Sequence, residues 1–131
     1  MFFSKILMVP AGTSVSLPVT TTMKVTAGTV RHVWLWWRYG EGGLCGVRMF
    51  YHEFQHWPLS AGEWVPSSYF PLDFAEGLAL GSDPYELRIE AYNLDDTFPH
   101  KLWVAFEVER EKSNNKLFGF LGVGGTTSEY G

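Results

Sequence analysis

The side chains able to do chemistry are few and widely spaced. Four histidines, His32, His52, His56 and His100, raise a metal site first. A mononuclear centre on a β-scaffold needs two histidines close together, a carboxylate and a further ligand from a distant strand. His52 and His56, with Glu53 between them, are the nearest approach, and no His-x-His pair is present. Positions four apart on a strand share a face but stand about 13 Å apart at 3.3 Å per residue, too far for one ion unless the chain bends. The histidines read as satisfied or surface residues, and no metal or other cofactor is expected.

Other catalytic patterns fare no better. Asp95 and Asp96 are paired carboxylates, but they sit in a turn, where Asp serves backbone hydrogen bonding. Cys45 is the single cysteine, so a disulfide framework or a cysteine-rich zinc site within one chain is excluded. It lies between Leu44 and Gly46 with no motif tying it to a histidine, and reads as a small buried residue. No G-x-S-x-G, P-loop or G-x-G-x-x-G accompanies a strand–helix unit, and GVGG at 122–125 is not a phosphate cradle. An enzyme is not expected. Six tryptophans raise a different chemistry, the stacking of flat indole faces on pyranose rings. Trp37, Trp57, Trp64 and Trp103 are the candidates for an exposed aromatic platform, while Trp34 and Trp36, on one strand face with apolar neighbours, are assigned to the core.

The elements that would position these groups are strands. Between 84 and 110, Tyr85, Leu87, Ile89 and Ala91 alternate with Glu86, Arg88, Glu90 and Tyr92. After the polar turn 93–99, Leu102, Val104, Phe106 and Val108 alternate with Lys101, Trp103, Ala105 and Glu107. Period-two alternation marks half-buried strands, and the short turn predicts one antiparallel hairpin. Earlier, Val15, Leu17 and Val19 predict a strand within 11–25, placed at a sheet edge by Pro18. The run 29–39, TVRHVWLWWRY, is apolar on both faces, with Val30, His32, Trp34 and Trp36 opposite Arg31, Val33, Leu35 and Trp37. Such a strand is central and covered twice, once by the core and once from outside. At 44–52, Val47, Met49 and Tyr51 oppose Arg48, Phe50 and His52, and short strands are expected at 69–74 and 77–80. No helix-period segment or fixed repeat interrupts this. The expected fold is all-β: a single-domain antiparallel β-sandwich, a jelly roll of about eight strands, with extended arms at both ends.

Composition agrees with extensive buried contact. The chain has 131 residues, enough for one domain, with 18% charged and 17% aromatic residues. A net charge of −4 with scattered Lys and Arg argues against a nucleic-acid or anionic-membrane partner. MFFSKILMVP at the start, broken by Lys5 and Pro10, does not read as a secretory signal. No apolar run approaches the roughly 20 residues that span a bilayer. These features suggest a soluble protein made in a reducing cytoplasm.

The division expected is an N-terminal arm or edge strand at 1–10, a sandwich at 11–110, and a linker and tail at 111–131. EKSNNK at 111–116 is polar, and LFGFLGVGGTTSEYG then sets Leu117, Phe118, Phe120, Leu121 and Val123 among glycines. Independent structure there is costly, so the tail reads as a segment that binds another surface. Phe2, Phe3, Ile6 and Leu7 are the corresponding candidates in the N-terminal arm.

The strand TVRHVWLWW, the segment VRMFYHEFQHWP and the run PYELRIEAYNLDDTFPHKLWVAFEV together resemble small jelly-roll structural proteins of tailed bacteriophages. The resemblance implies a capsid decoration or cement subunit. It would be made in the host cytoplasm, reside in the virion, and self-associate, commonly as a trimer. Its terminal arms would reach neighbouring capsid or other virion proteins. A carbohydrate-binding sandwich module is the alternative reading, and a cupin-like metalloprotein a third.

Overall fold

The computed structural model describes residues 1–38 and 43–110. They form nine strands: β1 (Phe2–Val9), β2 (Val19–Lys24), β3 (Gly28–Arg38), β4 (Cys45–Tyr51), β5 (Phe54–Trp57), β6 (Val65–Pro66), β7 (Leu72–Leu80), β8 (Glu86–Asn93) and β9 (His100–Glu109). One sheet has the order β1-β9-β3-β7; the other runs β2-β8-β4-β5, with β6 also paired to β4. All pairings are antiparallel. The two sheets pack face to face as a β-sandwich around one apolar cluster that includes Val33, Leu35, Val47, Met49, Leu87, Ile89, Val104 and Phe106.

Alternation identified the faces of β8 and β9 but not their neighbours. Leu87, Ile89 and Ala91 are buried, as are Leu102, Val104, Phe106 and Val108. The expected hairpin is nevertheless absent: β8 pairs with β2 and β4, whereas β9 pairs with β1 and β3. The turn crosses from one sheet to the other, so the two apolar faces oppose each other across the core. A period of two fixes which side chains go inward; it is silent on which strand supplies the ladder hydrogen bonds.

Asn93, the last residue of β8 and wholly buried, holds this crossing. Its Nδ2 donates to the carbonyls of Val9 at 3.2 Å and Phe98 at 2.9 Å. Its Oδ1 accepts from the Asp95 amide at 3.0 Å and the Cys45 thiol at 3.3 Å. Asp95 in turn accepts from the amides of Thr97 and Phe98, the backbone role expected of it, and its other oxygen lies 3.0 Å from His100 Nε2.

β3 departs from the expected assignment of faces. Val33, Leu35 and Trp37 point into the core, while His32 and Trp34 are partly exposed and Trp36 is exposed. Trp34 and Trp36 are therefore outer residues, and Trp37 is core. Val30 is buried on the same side as Val33 because the register shifts between Val30 and His32, a bulge that reverses the parity.

Other boundaries also moved. The stretch expected as an arm or edge strand is the edge strand β1, paired with β9 over eight residues, so the sandwich begins at Phe2. The strand expected from Val15 and Leu17 starts only at Val19, at a sheet edge. Val15 and Leu17 are exposed, and Ser14 Oγ accepts from the Leu17 amide at 3.2 Å, a local bond that competes with a ladder. The short strands expected at 69–74 and 77–80 are one continuous strand, β7. Between β4 and β5, His52 takes a φ of 57°, uncommon for a residue with a Cβ. Gly46 has a packing reason: a Cβ there would strike the ring of Tyr92, its cross-strand partner. Among the described residues no helix is long and apolar enough to cross a membrane.

Candidate interaction surface

Alternation on β1, β9 and β3 gives the four-stranded sheet an outer face as well as a core face. Cross-strand pairing orders that outer face into rows. Met8, Lys101 and Arg38 form one row; Ile6, Trp103 and Trp36 the next; Ser4, Ala105, Trp34 and Asp73 the third; Phe2, Glu107, His32 and Ala75 the fourth.

The middle of this face is aromatic. The rings of Phe2 and Trp34 lie 5.6 Å apart, edge to face, although β9 runs between their strands, and Phe2 stands 6.5 Å from Trp103. The small residue beneath them, Ala105, has no exposed surface. Phe2 is 58% exposed, Ile6 64% and Trp36 43%. A shallow groove of about 280 Å³ is lined by Ile6, Trp36, Arg38, Lys101 and Trp103. A contiguous exposed apolar patch of this kind makes the face a candidate interaction surface. The expectation that β3 is covered on both sides holds for its core face; among the described residues nothing covers the outer face at Trp36.

The remaining predicted site residues scatter. Phe2 and Ile6 belong to the surface, whereas Phe3 and Leu7 are half-buried against the core. Trp37 and Trp57, expected in an exposed platform, are 3% and 4% exposed and belong to the core. Trp57 donates from its indole nitrogen to Glu76 and packs on Phe106. Trp64 lies on the outer side of the other sheet, edge-on to Tyr92, with the Arg48 guanidinium 4.1 Å above its ring. Only Trp103 of the four stands on the aromatic face, joined there by Trp34 and Trp36. The sequence signal that would have found them was the apolar outer parity of 29–39, assigned to the wrong side. Leu117, Phe118, Phe120, Leu121 and Val123 lie outside the described residues.

Three of the four histidines have a polar partner. His32 Nε2 is 3.1 Å from Asp73, His52 Nε2 is 3.2 Å from the Ser82 carbonyl, and His100 is held by Asp95. Burial lowers the pKa of His56, with Glu76 opposing. The Thr97 amide and then the His100 hydrogen bond hold Asp95 below its ordinary value. Among the described residues no group of three or more His, Cys, Asp or Glu is placed to hold a metal ion. Cys45 is buried, and its thiol donates to Asn93, not to a histidine. On the other sheet Glu90 accepts from Arg48 at 2.8 Å and lies 3.3 Å from Arg88, a partly buried cluster with Phe50 stacked under both guanidinium groups. A second cavity, about 250 Å³, is lined by Leu35, Trp37, Val47, Val65, Phe70 and Leu72. No family model, no curated protein and no solved structure matches the chain.

Proposed function

We propose that this chain is a non-catalytic structural subunit that associates with copies of itself and docks on a larger assembly, in the manner of a capsid decoration or cement protein. The observation that carries the reading is the aromatic outer face of the four-stranded sheet, where Phe2, Ile6 and Trp36 lie open to solvent. A free monomer gains nothing from exposing such side chains, whereas burying each at an interface gains about 1.5–3 kcal/mol for a large apolar group fully covered. The setting, a virion assembled in a host cytoplasm, comes from the resemblance to phage structural proteins.

The strand order supports the finer reading of the fold as a jelly roll. Pairings nest from the chain's ends toward its middle: β1 with β9, β2 with β8, β3 with β7, and β4 with β5 and β6. Rolling one long hairpin over itself produces that nesting. In this reading the tail, with Leu117, Phe118, Phe120, Leu121 and Val123, clamps a neighbouring subunit or capsid protein. Glycines among these residues make ordering the backbone costly, so docking is worthwhile only on a preformed apolar groove.

A second reading, carbohydrate binding, is favoured by the groove between Trp36 and Trp103, where two indoles stand beside Lys101 and Arg38. Mass measurement of the full chain in solution separates the two. A concentration-dependent homo-oligomer supports the structural subunit; a monomer that binds a soluble glycan, and loses it on Trp103→Ala, supports the module.

A further inference from the structure

Resting on the self-association reading, we infer that the outer face of the four-stranded sheet is a two-fold interface on which a second copy of this chain packs face to face, its strands antiparallel to the first. The partner is identified by charge and by the edges.

Along the face, charge changes sign. Lys101 and Arg38 lie at one end, in the row of Met8, and Glu107 lies at the other, in the row of Phe2. Lys101 and Glu107 are both exposed, both on the outer side of β9, and neither has an ion-pair partner among the described residues. They stand six residues apart, about 20 Å at 3.3 Å per residue, with the aromatic rows between them.

A two-fold axis in the plane of the interface can run along the strands or across them. Along them and centred on β9, the axis brings Lys101 onto Lys101 and Glu107 onto Glu107, which repels. Across them, the strand direction reverses in the partner, and each Lys101 meets the Glu107 of the other copy while the aromatic rows meet in the middle. An isologous interface of this kind forms each contact twice, so the charge pairing counts double. The β1 edge of this sheet offers no easier route. Lys5 falls at the core-facing parity of the edge strand β1 yet is exposed, and a charge placed so obstructs edge-to-edge addition of strands.

The size of the face sets the strength. Four strands about 4.8 Å apart and a length of about 20 Å give a footprint of about 400 Å² per copy, at the low end for specific interfaces. The dimer is therefore reversible, and sedimentation must be followed to several hundred micromolar.

The test is sedimentation of the full-length chain against three variants, Lys101→Glu, Glu107→Lys and the double exchange, each checked for an unchanged circular dichroism spectrum. The wild type should show a monomer–dimer equilibrium. Each single reversal should weaken it by about tenfold or more, since two pairs per dimer turn repulsive, and the double exchange should restore it. An oligomer that ignores the single reversals, or a trimer, overturns this pairing and leaves self-association standing. A chain that stays monomeric at every concentration removes both.

Discussion

Replacing Asn93 with Ala tests whether one buried amide ties the two sheets together at the crossing from β8 to β9. The substitution removes the donor to the Val9 carbonyl, in a fully buried setting, and the donor to the Phe98 carbonyl, in a partly buried one. A buried acceptor left unpaired costs about 1–3 kcal/mol, and one that water can reach costs nearer the 0.5–1.5 kcal/mol of an ordinary hydrogen bond. Together they predict a loss of about 2–4 kcal/mol, a large part of the 5–15 kcal/mol typical of a whole domain. Urea unfolding should show the midpoint lowered by about 1–2 M with the slope unchanged. Cys45→Ala, which removes a weak thiol donor to the same amide together with a buried sulfur, should cost about 1 kcal/mol. Asn93→Asp keeps an acceptor but turns a carboxylate toward the two carbonyls, so it should be worse than Ala at neutral pH and recover as the carboxyl protonates. If Asn93→Ala costs less than about 1 kcal/mol, the amide does not hold the crossing and the reasoning fails.

Other outcomes follow from the same geometry. Ile89→Asp or Val104→Asp should prevent folding at neutral pH, read by circular dichroism, since both side chains are almost wholly buried and the new charge has no partner. Lys101→Ser, in contrast, should change stability by under about 0.5 kcal/mol. Glu90, although an outward residue of β8, lies between Arg48 and Arg88, so Glu90→Ser should cost clearly more than Lys101→Ser in the same urea titration. Burial depresses the pKa of His56, so the unfolded chain binds more protons below the ordinary value of 6.5. Stability should rise as pH climbs from the depressed value toward 6.5, and His56→Gln should flatten that slope in thermal melts. Asp95 is also depressed, but as an acid: its contribution is present above the ordinary value of 3.8 and is lost as pH falls through the lower folded value, a loss that Asp95→Asn should remove. Deleting 117–131 should leave the melting temperature of the separated monomer little changed, because the described core closes by Glu109, and should weaken assembly.

Local physics explains what could be read from the chain alone. The period of two told, for β4, β8 and β9, which side chains would be buried, because in a strand parity is set by the backbone pleat and by nothing else. Pro18 and the polar runs marked a sheet edge and the turns. The all-β class and the two-faced apolar character of β3 followed from the same alternation. What alternation cannot carry is the identity of the partner strand. β8 and β9 are joined by a short turn and look like a hairpin, yet lie in opposite sheets, because pairing is decided by which remote strands offer backbone groups and an opposing apolar face. β3 shows the same limit within one element. With apolar groups at both parities, its inner face was chosen by the packing of the other sheet and by a one-residue bulge before His32, which put Trp37 in the core and Trp36 in the open. The aromatic surface exists only after folding, since Phe2, Trp34 and Trp103 come from three strands distant in sequence and meet through the β1–β9–β3 ladder.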